Sequence, residues 1–193
     1  MDRILKFAYV SLICNIVFSS YHIIFGVSTR SVWLFTIGIY YAILSAVRFT
    51  VLRPNVKKRF AIRFTGIMLI ALSLPLVGTV ILSFTEERGT AFDLIFMLAV
   101  AVYAFAKITI ATVNLIRARK IKPAKLVALR NIAFADAFVS IFSLQRSMLV
   151  SFDGMAEKAI KIMNLSTGSA VCFIVFLLGL NLLLDKKGAD NDF

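Results

Sequence analysis

Hydrophobic and polar positions along the chain do not alternate; they are sorted into blocks. Six predominantly apolar stretches, at about 4–25, 32–52, 63–84, 92–116, 131–151 and 165–184, are separated by short polar segments. A hydrocarbon core of roughly 30 Å is crossed by about 20 helical residues, so each stretch is long enough to span it. Inside lipid a spanning segment must satisfy its own backbone, which leaves a helix or a closed barrel. Barrel strands would be shorter and strictly alternating, and nothing here alternates for long. The pattern predicts an all-α polytopic membrane bundle, a single domain over 1–193 with six transmembrane helices and a polar tail at 185–193.

Composition agrees with this reading: 60% of residues are hydrophobic and only 17% charged, against roughly 45 to 50% and about 25% in soluble domains. The net charge of +12 would suggest nucleic acid in a soluble chain, but in a membrane chain it serves orientation, because cytoplasmic loops carry excess Lys and Arg. Fifteen basic residues fall at the N-terminal end, the second and fourth loops and the tail, against four (Arg30, Arg88, Lys158 and Lys161) on the opposite side. Both termini are therefore expected in the cytoplasm. Met1 to Lys6 and the apolar run behind them resemble a signal peptide, but the run is long and studded with polar residues, so it is read as the first helix. In the outer stretch 152–164, Met155, Ala156, Ala159, Ile160 and Met163 recur at helical spacing, which suits a short interfacial helix or an amphipathic loop turn.

Polar side chains inside lipid turn toward other helices or water, and on four spans they share a face at three- and four-residue spacing. The first carries Ser11, Asn15, Ser19 and His22; the second Gly38, Tyr41, Ser45 and Arg48; the fourth Tyr103, Lys107, Ala111 and Asn114; the fifth Asp136, Ser140, Ser143 and Ser147. Such seams serve helix packing or line a pathway. Lys107 lies roughly 15 Å along its helix from Arg117, at about 1.5 Å per residue, and Asp136 about 9 Å from Arg130, so both occupy the inner half. A lone charge there costs at least roughly 2.5 to 3.5 kcal/mol, and an ion pair between the two is expected. Arg48 and Arg146 are close enough to span ends to snorkel as interface anchors. His22 reads as an interfacial polar cap or a proton relay. Trp33, Tyr40 and Tyr41 read as belt or packing aromatics, and Pro75 as a kink in the third helix.

No HExxH, GxSxG, P-loop or GxGxxG occurs, so no enzyme, metal or cofactor is expected. The single His cannot assemble the three or four ligands that zinc takes. Cys14 and Cys172 form no CxxC and read as buried thiols.

The tracts YHIIFGVSTRSVWLFTIGIYYAILSAVRF (21–49), LRNIAFADAFVSIFSLQ (129–145) and NLSTGSAVCF (164–173) resemble small six-span integral membrane proteins of anaerobic bacteria. The resemblance implies a multi-pass protein of the bacterial plasma membrane and carries no activity, ligand or site residue with it.

Two functional classes follow. One is a transporter or channel-like subunit for a small solute or ion, with Asn15, His22, Tyr41, Arg48, Lys107, Asn114, Asp136 and Ser140 along a polar pathway. Arg48, Lys107 and Arg146 against Asp136 would favour an anionic solute if both arginines face inward. The other is a non-transporting accessory or regulatory subunit whose seams are docking surfaces. Either would sit in lipid as a protomer, a homodimer or part of a larger membrane complex, without nucleic acid.

Overall fold

A computed structural model describes residues 2–85, 98, 101–102, 104–109, 112–113, 124–151 and 156–184. Five long helices are formed: α1 (Asp2–Ser28), α2 (Val32–Leu52), α3 (Lys58–Thr85), α4 (Ala124–Ser151) and α5 (Glu157–Leu184). Each is long and apolar enough to cross a membrane. The fourth span is described in part, with helix at 104–109. There is no strand among the described residues. The architecture is therefore the all-helical one that the apolar blocks predict; the tail at 185–193 lies outside the described residues.

α1 and α2 form a tight hairpin. The Ser31 N–H reaches back to the Gly26 carbonyl at 3.0 Å and the Arg30 N–H to that of Val27 at 3.3 Å, which is the bonding of a Schellman cap. That cap needs a left-handed residue, and Arg30 supplies it at φ 53°. Ser31 then caps α2, its side chain accepting from the Leu34 N–H at 3.5 Å. One serine thus closes one helix and opens the next.

Two helix pairs, α1 with α2 and α3 with α5, pack most extensively, and α4 lies against α2, α3 and α5. Small residues set these approaches, as expected where apolar lipid offers no hydrophobic drive between helices. A Cβ on Gly38 would meet the Ile23 backbone nitrogen of α1 at 2.9 Å, and one on Gly179 would meet the Gly66 carbonyl of α3 at 2.8 Å. Leu44, Leu69, Leu72, Ile132, Phe142 and Val175 fill the centre. Of these five helices α4 is the most enclosed and α1 the least.

One expectation is corrected. Residues 157–164 are the first two turns of α5 rather than a separate interfacial helix or loop, because no Pro or Gly interrupts the chain before Gly168. An i,i+4 pair between Glu157 and Lys161 at 2.9 Å supports those turns. α3 runs continuously through Pro75, with the Ser73 hydroxyl donating to the Ile70 carbonyl at 2.7 Å. At one end of the bundle the Lys125 ammonium donates to the carbonyls of Arg53 and Pro54, both at 2.9 Å, bringing the first turn of α4 against the loop after α2.

The glycine contacts yield a stability test. Gly179→Ala should destabilise the detergent-solubilised protein by about 1 to 3 kcal/mol, since its methyl meets backbone that cannot yield. Gly78, where a Cβ meets nothing within 4 Å, should accept Ala with a gain of up to about 1 kcal/mol from helix propensity. Equal thermal midpoints for the two variants would contradict the α3–α5 packing.

Candidate functional site

The seams of α1, α2 and α4 all turn inward. Asn15, Ser19 and His22 of α1, Gly38, Tyr41, Ser45 and Arg48 of α2, and Asp136, Ser140, Ser143 and Ser147 of α4 are buried. Lys107 enters the same space from the fourth span. Tyr103, Ala111 and Asn114 lie outside the described residues.

At the centre is the carboxylate of Asp136, 1% exposed. Its Oδ1 accepts from Lys107 Nζ at 2.7 Å. Its Oδ2 accepts from Asn15 Nδ2 at 2.8 Å and from Arg48 Nη2 at 3.2 Å. Three donors from three other helical segments therefore hold one side chain of α4. Charge-assisted bonds of this kind are about twice as strong as neutral ones, and they lie where burial makes unpaired charge most costly. The ion pair expected between Lys107 and Asp136 is present, but as two arms of a larger cluster.

Arg48 is where the sequence reading fails most clearly. It does not snorkel: at 2% exposure its guanidinium sits in the bundle, donating to Asp136 and, through Nη1, to Ser11 Oγ. Distance to the helix end says that the head could reach water, but the helical face decides where it points, and Arg48 shares the face of Tyr41 and Ser45. Arg146 is likewise no surface anchor, being 3% exposed with its guanidinium 4.6 Å from the centroid of Trp33. Trp33 is thereby a buried partner of an arginine rather than a belt residue.

Hydrogen-bond valence fixes proton positions one layer further out. Ser140 Oγ has one proton and two lone pairs. Its proton goes to the Asp136 backbone carbonyl at 2.8 Å, and it accepts from Lys107 Nζ at 3.2 Å. The remaining contact, with the Tyr41 hydroxyl at 3.0 Å, therefore has Tyr41 as donor. The Lys107 ammonium also lies 4.8 Å from the centroid of the Tyr41 ring and 6.0 Å from that of Phe18, a cation–π arrangement. Phe18 is a member that sequence reasoning missed. Its position one helical turn from Asn15 on α1 is the signal that could have found it.

His22 is buried and packs at the aromatic edge of the cluster. Its Nδ1 lies 2.9 Å from the Phe18 carbonyl, which can only accept, so Nδ1 bears a proton. The imidazole packs on Phe18 at 4.4 Å and beside Tyr41 at 6.2 Å between centroids. It is thus an enclosed ring rather than an exposed cap. Six of the sequence-derived candidates, Asn15, Tyr41, Arg48, Lys107, Asp136 and Ser140, form one continuous network. Among the described residues no three His, Cys, Asp or Glu side chains gather into a metal site.

Chemically, the cluster is a buried anion held by two cations and an amide, with a local charge of +1 from Arg48, Lys107 and Asp136. This charge count ranks mutational effects. Asp136→Asn strands two cations and should cost about 3 to 5 kcal/mol. Lys107→Met leaves Arg48 and Asp136 as a neutral pair and should cost less, on the order of 1.5 to 3 kcal/mol. Equilibrium unfolding in mixed micelles measures both, and the reverse ranking would contradict the cluster. No family model, curated protein or solved structure matches the chain.

Proposed function

We propose that the protein is a small membrane carrier or channel-like subunit that moves a small solute or ion through the interior between α1, α2, α4 and the fourth span. It acts in the bacterial plasma membrane, with both termini cytoplasmic, alone or as a homodimer, and performs no covalent chemistry. The observation that carries the reading is the buried carboxylate of Asp136, shared by donors from three other segments. Replacing a buried ion cluster with apolar side chains of similar volume is often neutral or stabilising, so packing alone gives no reason for Arg48, Asp136 and Lys107 to meet inside a bundle. Ionisable groups within a span are by default members of solute or proton pathways.

The network also has the form of a switch. Asp136 is held from several sides, and loss of one donor leaves the others in place, so its side chain can exchange partners without becoming wholly uncompensated. Beyond it, the donor chain from Tyr41 to Ser140 extends the polar interior toward the enclosed His22. The orientation is supported by the basic bias of the loops and by the meeting of Lys125 with the loop after α2 at one end of the bundle.

The second reading, a non-transporting accessory subunit, is favoured by one feature: the donors reach Asp136 by direct contact, which also ties four segments together. The two readings separate in proteoliposomes. Under the carrier reading, at least one solute from an ionic and metabolite panel raises the thermal midpoint of the purified protein and enters vesicles containing it. Lys107→Met, if folded, lowers that flux by at least about tenfold, a change of about 1.4 kcal/mol. A folded protein with no solute response and no flux would leave the accessory reading standing.

A further inference from the structure

We propose that Asn15, Arg48 and Lys107 form a receptor for a small monocarboxylate and that the Asp136 side chain occupies it as a tethered stand-in. The inference rests on the reading of this interior as a solute pathway and names its solute class. Two observations carry it, the arrangement of the donors and the balance of charge.

A carboxylate presents two oxygens in one plane, with about four lone-pair sites in total. Around Asp136 both oxygens are engaged, Oδ1 by Lys107 at 2.7 Å and Oδ2 by Asn15 at 2.8 Å and Arg48 at 3.2 Å. None of these donors belongs to α4, the helix that carries the carboxylate. The receptor is therefore assembled by α1, α2 and the fourth span, and the acid reaches into it from outside. Ser11, which accepts from Arg48, and Ser140, which accepts from Lys107, hold the two cations by their remaining N–H groups. A rotation of Asp136 out of the site would leave both cations positioned by these contacts.

Charge selects the guest. With Asp136 present the two cations leave +1, and a bound monoanion brings the site to neutrality. A dianion would carry it to −1 and a cation to +2, each a poorly compensated charge in a low-dielectric interior. A neutral solute would leave the excess unchanged. Size follows from the group already in place, which is a carboxylate on one methylene; formate and acetate are its free equivalents.

The test uses the full-length protein in detergent, with sodium chloride replaced by sodium formate or acetate at constant ionic strength. Asp136→Ala empties the receptor, and formate should raise its thermal midpoint with saturation, at concentrations about tenfold lower than those needed for wild type, where the tethered acid competes. Chloride should give no comparable response. Asp136→Asn, which fills the same space without charge, should respond more weakly than Asp136→Ala. If Asp136→Ala folds only in formate, that recovery supports the proposal. No response to formate, an equal response to chloride, equal responses of the Ala and Asn variants, or failure to fold in either salt would overturn it. Formate binding without flux of formate or acetate in proteoliposomes would keep the receptor and remove transport. Flux of another solute with an unresponsive Asp136→Ala would keep transport and remove the receptor.

Discussion

The guanidinium of Arg48 and the ammonium of Lys107 are each too costly to bury alone, and the carboxylate of Asp136, at 3.2 and 2.7 Å, is what makes their joint burial tolerable. Much of the central geometry follows from that constraint. α2 must present Arg48 on the face that also holds Tyr41, α4 must bring Asp136 to the same depth, and α1 must offer Asn15 rather than a methyl group. The surrounding hydroxyls then complete the valences. Ser11 accepts a hydrogen bond from Arg48 and Ser140 one from Lys107, so that charge left uncompensated by Asp136 is spread over polar atoms instead of being turned toward lipid.

Helix packing supplies the precision this arrangement needs. Gly38 lets α2 approach α1 closely enough for the Ser19 hydroxyl to donate to its carbonyl at 2.8 Å. That contact holds the two polar faces opposite one another, with Asn15 one turn further along. The hairpin turn contributes from the other direction. Its left-handed Arg30 carries a conformational cost that glycine would avoid, yet the turn leaves little freedom in how α1 and α2 are aligned. On the far side, Gly66 and Gly179 draw α3 and α5 together as a buttress against which α4 rests.

Much of this was legible in the sequence, and the failures have physical causes. Block length identifies membrane-spanning helices because the bilayer fixes a minimum span, but it measures contact with lipid rather than helix continuity. For that reason the charged first turns of α5, with Glu157, Lys158 and Lys161, read as something separate. The union of Lys107 and Asp136 was legible because each is expensive alone at its depth. The inward course of Arg48 and Arg146 was not, since reach along an axis says nothing about azimuth. For Arg48 the shared face with Tyr41 and Ser45 held the answer, whereas for Arg146 the Trp33 ring comes from a helix over a hundred residues earlier. The role of Asn15 depends on Asp136, 121 residues away, a distance at which one-dimensional spacing carries no information.

The order in which these residues occur has a consequence for biogenesis. Chains emerge from the ribosome N-terminus first, so α1, α2 and the fourth span are made before α4. Arg48 is synthesised 88 residues ahead of the carboxylate that compensates it, and Lys107 29 residues ahead. During that interval the early helices hold two cations without their counter-charge, each at an insertion cost of roughly 2.5 to 3.5 kcal/mol. The apolar remainder of each helix must carry that cost, or the translocon must keep the early helices beside water until α4 arrives. Asp136 thus acts late, as the group whose delivery allows the half-built bundle to close.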